Sequence, residues 1–189
     1  MKSKRLIEAE LVAAVHKTGE EGKMTPHIRR VKMSDRESLA RLDHCASLIP
    51  WTPEDWHRET TAHGAGILVA CESKTFAALI VGFAVFQLQE TDLELRRLVT
   101  RPFYQSMGVG SCLLEKFGEV AEIANVAKKA IGEPLIDTLA CLVPERLVSM
   151  QCVMRKNGYK CTRTLSNFDD GEARYLFEKR VAAESAETK

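Results

Sequence analysis

Gln105-Ser106-Met107-Gly108-Val109-Gly110 decides how this chain is read, because of what flanks it. Residues 93–100 carry the apolar spacing of a strand, and residues 111–127 carry that of a helix. Where a strand turns directly into a helix, the first helical N–H groups have no intrahelical acceptor and the positive end of the helix dipole points into the turn. Such a turn cradles anions, phosphates above all. Glycine at 108 and 110 removes β-carbons that would block close approach of a ligand to the backbone, and it permits angles that other residues resist.

Three phosphate-loop patterns compete for the segment. A dinucleotide fingerprint needs a third glycine where Leu113 stands. A nucleotide-triphosphate loop needs Lys and Ser/Thr after its last glycine, and Gly110 is followed by Ser111-Cys112. What is left is Gln/Arg-x-x-Gly-x-Gly/Ala after a strand, or an ordinary glycine-rich turn.

The flanks add to the first alternative. Leu98-Val99-Thr100-Arg101-Pro102-Phe103-Tyr104 is a strand, a Pro-containing turn and an aromatic residue. Leu113-Leu114 starts the helix with apolar residues, and Asn157-Gly158-Tyr159 ends a later one with a glycine-aromatic step. Ile28-Arg29-Arg30 with Ser34-Asp35 supplies a first strand and a helix cap. Together these resemble the GNAT N-acetyltransferase superfamily over residues 28–179. Pro50-Trp51-Thr52-Pro53-Glu54-Asp55-Trp56 and Asp170-Gly171-Glu172 are most like its ribosomal-protein-alanine branch. The resemblance implies a mixed α/β fold: a central, mostly antiparallel sheet, splayed between its fourth and fifth strands and flanked by helices.

Composition sets the outer bounds. With 189 residues, 45% of them hydrophobic, the chain can bury one core of its own. A formal net charge of +1 gives no global basic field for nucleic acid or an acidic membrane. Apolar runs such as 79–88 are too short to cross a bilayer, and no signal-peptide core opens the chain, so a cytoplasmic protein is expected. Cys45, Cys71, Cys112, Cys141, Cys152 and Cys161 are dispersed without a Cys-x-x-Cys pair and read as small buried hydrophobes. No metal site is expected.

Along the chain, residues 1–25 read as an N-terminal extension, helix-compatible over 6–15 and linker-like over 17–23. The catalytic domain is expected over 26–181, followed by a polar tail, 182–189. A strand is predicted over 27–32. Ser34 is expected to cap the next helix, with Glu37 at capping-box spacing, and Thr52-Pro53 to open another. Trp51 and Trp56 either line an acceptor groove or pin this helix pair to the sheet. Strands are predicted over 66–72, 79–89, 93–100, 135–143, 159–166 and 173–180, and helices over 111–130 and 146–157.

The resemblance also implies chemistry: a neutral amine attacks the thioester of acetyl-CoA and CoA leaves. It implies pyrophosphate binding by the backbone of Gln105, Ser106, Met107, Gly108, Val109, Gly110 and Ser111, and pairing of Leu98, Val99 and Thr100 with the pantetheine arm. A bulge would aim the Val99 N–H at the thioester oxygen. The acceptor is a primary amine: a protein N-terminus, a lysine or a small amine.

The chain departs from the alanine branch at the proton-transfer positions. The glutamate on the fifth strand, the tyrosine on the next helix and the cofactor-contacting asparagine fall on Leu142, Met154 and Leu147. Glu94, fourteen residues before Gly108, falls where another branch of the family carries its base. Strand period puts Glu94, Arg96, Leu98 and Thr100 on one face and Leu95, Arg97 and Val99 on the other. Glu94 is the candidate general base; its competing reading is a strand ion pair with Arg96 or Arg97. Tyr159, Tyr175, Cys141 and Cys152 are available as acids for the leaving thiolate, Tyr175 being favoured because its strand closes the acceptor side. Loss of the usual pair also leaves open a non-catalytic acyl-CoA-binding module.

Overall fold

The β-branched and aromatic residues of 65–71 and 80–88 build two neighbouring strands of a seven-stranded sheet. In chain order the elements are β1 His27–Arg30, α1 Arg36–Ala46, α2 Pro53–Thr61, β2 Ala65–Cys71, β3 Ile80–Leu88 and β4 Asp92–Thr100. There follow α3 Val109–Ile131, β5 Thr138–Pro144, α4 Val148–Lys156, β6 Lys160–Leu165 and β7 Arg174–Arg180. The computed structural model describes residues 24–75, 78–166 and 171–181. Residues 1–23 of the expected extension and the expected tail lie outside these.

The sheet order is β1-β2-β3-β4-β5-β7-β6. Every neighbouring pair is antiparallel except β4 with β5. That parallel pairing lasts four residues, from Asp92 opposite Thr138 to Leu95 opposite Cys141. Beyond it β4 stays with β3 as far as Thr100, while β5 stays with β7 as far as Pro144. Residues 96–100 thus turn an edge without a strand partner toward a gap. This is the predicted splay between the fourth and fifth strands.

A β-bulge corrects the predicted faces of β4. Val85 pairs with Arg97 and Phe86 with Leu95, so Arg96 is the extra residue. One inserted residue inverts the alternation beyond it. Leu93 and Leu95 lie on the α3 side with Leu98, whereas Arg96, Arg97 and Val99 all turn to the side of α1 and α2. Glu94, bonded to Arg96, shares that second side and not the side of Leu98. The bulge lies at Arg96, three residues before Val99, which pairs in register with Phe83.

Two apolar cores result. Under α3, Leu113, Leu114, Phe117 and Ala121 pack on Leu68, Val81, Leu93 and Leu95, and Met154 and Tyr159 complete the cluster. Under α1, Leu39 and Leu42 pack on Val69, Phe83, Val85 and Val99. Trp51 stands edge-on to Trp56 at 5.2 Å, and Trp56 lies 5.6 Å from Phe83. These contacts are those of the pinning alternative for the two indoles.

The cap of α1 differs from the expected one. Ser34 lies inside a 3-10 turn, Met33–Asp35, and Glu37 pairs with Arg41. Asp35 stands at the N-cap without a side-chain bond to the helix; its carboxylate ties the entry to β1, accepting from the Lys32 N–H at 2.6 Å and from both Arg29 Nη atoms at 2.7 and 3.0 Å. A buried carboxylate so bonded outcompetes a hydroxyl one residue away. The α2 start matches expectation, with Thr52 and Asp55 in a reciprocal capping box and Pro53 at the first turn. Cys71 and Cys141 are buried as expected, but Cys45, Cys152 and Cys161 are exposed.

Candidate active site

The glycine loop is shaped by two left-handed backbone positions, Ser106 at φ 64° and Gly108 at φ 91°. The turn before it is fixed from both ends. Pro102–Tyr104 is a 3-10 turn whose buried Tyr104 reaches Glu72 at 3.3 Å, and the Arg101 N–H donates to Val81 O. Gln105 Nε2 folds back on Thr100 O at 3.4 Å. Met107 O accepts from the Met24 N–H at 2.9 Å, and the Met24 side chain is buried in the α3 core. Met24, assigned by sequence to the extension, is thereby docked on the loop.

The first helical bond of α3 runs from the Cys112 N–H to Gly108 O. The N–H groups of Val109, Gly110 and Ser111 therefore have no intrahelical acceptor and converge at the head of a 23-residue helix. Gly108 at the N-cap carries no side chain to close this end, whereas Thr52 caps α2. Val109 itself is buried and anchors the turn.

Gly110 lies between the free edge of β4 and helix α4. A β-carbon there would meet Thr100 Oγ1 at 3.8 Å, Val153 Cγ1 at 3.8 Å and Leu98 Cδ2 at 3.9 Å. These are ordinary contacts, so the fold itself does not require glycine at this position. The missing β-carbon opens a crevice between the free edge of β4 and helix α4. Leu98, Thr100 and the loop are thus brought together, with Val153 as an unforeseen wall. Val99, buried on the other side of the sheet, contributes only backbone to this edge. At the head of α3, Asn157 Nδ2 donates to Ser111 Oγ at 3.1 Å, and Ser111, Cys112, Asn157, Tyr159 and Lys179 line a cleft of ≈ 240 Å³. An uncapped helix head, left-handed loop positions and a crevice a β-carbon would fill suit a long ligand carrying a pyrophosphate.

The other side of β4 is charged. Arg97 donates through Nε and Nη2 to Asp43 Oδ1 at 2.9 and 2.6 Å, and its guanidinium stacks 4.9 Å from the Trp51 ring. Asp43, 1% exposed, also accepts from Ser47 Oγ and the Trp51 N–H. Arg96 donates to Glu59 of α2 at 2.8 and 3.3 Å and through Nη1 to Glu94 Oε1 at 2.7 Å. The hydrogen bonds from Arg96 hold the Glu59 carboxyl below the usual carboxylate range. Sequence reasoning missed Asp43 and Glu59; the one local signal was two consecutive arginines in a strand.

Glu94 and Tyr175 are not brought together. Glu94 stands opposite Ala140, which stands opposite Glu178, while Tyr175 stands opposite Val143. Strand spacing puts their Cα atoms roughly 14 Å apart. The Tyr175 hydroxyl donates to Glu145 at 3.0 Å, and this bond raises its pKa. Tyr159 is buried in the core, where burial raises its phenol as well. Burial pushes the Cys141 thiol up to about 12. Leu147 packs partly buried beside the α3 core, and Met154 lies within it. Among the described residues no group of His, Cys, Asp and Glu forms a metal site, and no helix is long and apolar enough to cross a membrane.

The family model described as acetyltransferase (GNAT) family matches residues 36–132. The ribosomal-protein-S18-alanine N-acetyltransferase of Escherichia coli superposes with a TM-score of 0.68 at 16% identity, covering 87% of this chain and 99% of that one. Ard1 of Thermoplasma volcanium gives 0.65 at 20% identity, covering 83% and 98%. NAA60 of Arabidopsis thaliana, solved in complex with acetyl-CoA, gives 0.67 at 14% identity, covering 83% and 99%. At these identities the likeness is one of fold. No curated protein matches in sequence.

Proposed function

Since the chain belongs to the acetyltransferase (GNAT) family, we propose that it moves the acetyl group of acetyl-CoA to a primary amine, a protein N-terminus, a lysine or a small amine, by direct attack. Acetyl-CoA supplies the activated acetyl thioester. The observation that carries the reading is the uncapped head of α3 facing the free edge of β4 across the Gly110 crevice. In this reading the amides of residues 106–111 bind the pyrophosphate, and residues 98–100 offer their backbone to the pantetheine arm and the thioester oxygen.

Glu94 is the proposed general base. It lies on the α1/α2 side of β4 at the last stretch of β4–β5 pairing, beside the opening of the splay. Arg96 engages its Oε1, and Oε2 is the atom that takes the ammonium proton. Tyr175 is the acid candidate once it turns from Glu145, and CoA thiol also leaves without an enzymic acid.

The experiment is a thermal shift with acetyl-CoA, CoA and an unrelated nucleotide, followed by release of free thiol across a panel of amines. Selective stabilisation by acetyl-CoA and turnover of at least one amine are expected. Glu94→Gln should keep cofactor binding and lower turnover by roughly 100-fold or more. Full turnover in that variant removes Glu94 from the mechanism. Binding with no turnover would point to an acyl-CoA-binding module.

A further inference from the structure

Helix α2 buries one residue, and that residue is a carboxylate, Glu59 at 7% exposure. A charge taken out of water without partners is strongly unfavourable, so the arrangement around it is specific. Arg96 meets Glu59 with the edge formed by Nε and Nη2, leaving Nη1 for Glu94. Arg58 adds a third contact, Nε to Glu59 Oε1 at 3.1 Å.

Arg96 is also the bulge residue of β4, one position past the last β4–β5 pair. The bulge turns its side chain toward α2. If Glu59 did not occupy the Nε edge, the guanidinium would be free to face Glu94 with its fork and take both carboxylate oxygens. With Glu59 in place, Glu94 receives a single N–H on Oε1.

We propose that Glu59 is a positioning residue for the acetyl transfer: by holding one edge of Arg96 it keeps Glu94 singly bonded, oriented at the splay and open at Oε2 to the acceptor amine. The proposal rests on the reading of Glu94 as the base. Glu59 is buried behind the Arg96 guanidinium, so it acts through Arg96 and Glu94. Helix α2, pinned by Trp56 on Phe83 and by the Thr52 capping box, is the rigid support from which it acts.

The test compares Glu59→Gln, Glu59→Asp, Glu94→Gln and the double variant that combines Glu59→Gln with Glu94→Gln, with melting temperatures and acetyl-CoA binding measured for each. Turnover is followed as CoA thiol released from acetyl-CoA with peptide N-termini, free lysine and spermidine. Glu59→Gln should bind acetyl-CoA within about twofold of the parent and lose roughly tenfold in kcat, as expected for a displaced catalytic group. Glu59→Asp, which keeps the charge, should recover part of that loss. In the double variant the loss should be no greater than in Glu94→Gln alone, because both changes remove one function. A parent-like kcat in Glu59→Gln, or losses that multiply in the double variant, would overturn the proposal. If Glu94→Gln itself turns over at the parent rate, or no amine is acetylated by the parent, the base reading fails and this proposal with it.

Discussion

The two sides of strand β4 are organised by different physics. Toward α3, the strand contributes Leu93, Leu95 and Leu98 to an apolar core, and the element proposed to bind the cofactor is backbone: the head of α3 and the left-handed turn at Ser106 and Gly108. Toward α1 and α2, the strand contributes Arg96 and Arg97, and each is clamped by one carboxylate from one helix. In the proposed function the apolar side positions a ligand through atoms every residue has, so its side chains have latitude. The charged side positions α1, α2 and Glu94 through side-chain pairs whose partners lie 37 and 54 residues away, and it has little.

The difference predicts unequal sensitivity. The largest stability effect should come from Asp43, which takes four hydrogen bonds at 1% exposure. Asp43→Ala leaves the Trp51 N–H without its acceptor and the Arg97 guanidinium with only the Ile49 carbonyl, and should cost about 3–5 kcal/mol. For a chain of this size that is roughly a 10 °C fall in melting temperature. A loss below about 1 kcal/mol in a denaturant titration would put the weight of this side on Trp51, Trp56 and Phe83 instead.

A smaller effect separates the sides by pH. Glu59 and Asp35 are held below the usual carboxylate range by Arg96 and Arg29. A depressed folded-state pKa contributes stability that is present above the unfolded value, about 4.3 for Glu and 3.9 for Asp, and is lost as pH falls through the folded value. The parent should therefore destabilise as pH drops below about 4.5, and Glu59→Gln should show a shallower decline over that window in urea unfolding. Parallel pH curves for the two proteins would mean that the Glu59 pair is as strong in the unfolded chain.

This contrast also explains what could be read in advance. The glycine turn, α3 and the start of α2 follow from local signals: glycine spacing after a strand, apolar period and Thr52-Pro53 at a helix start. The splay came from the family resemblance and not from the residues alone. The bulge at Arg96 was illegible because it is a mismatch between β3 and β4, visible only once Val85 meets Arg97 and Phe86 meets Leu95. With it went the faces of β4, and hence the company Glu94 keeps. Asp43 and Glu59 look like ordinary surface acids on amphipathic helices; distant arginines are what bury them. The Ser34 cap was misassigned for the same reason, since Arg29 on β1 recruits Asp35.

The central claim is that backbone at the head of α3 holds acetyl-CoA, and calorimetric titration of acetyl-CoA into Gly108→Val and Gly110→Val tests it most directly. Gly108 has open space around its Cα but a φ of 91°, so valine there should cost about 1–3 kcal/mol of backbone strain as well as binding. Gly110 is helical, and a β-carbon there meets only ordinary contacts at 3.8–3.9 Å; the γ-methyls of valine reach further toward Thr100, Val153 and Leu98, so the melting temperature of Gly110→Val is measured beside the titration. The account predicts that folded Gly110→Val protein gives no measurable heat with acetyl-CoA while the parent binds. Unchanged affinity in both variants would contradict it and move the cofactor away from the head of α3.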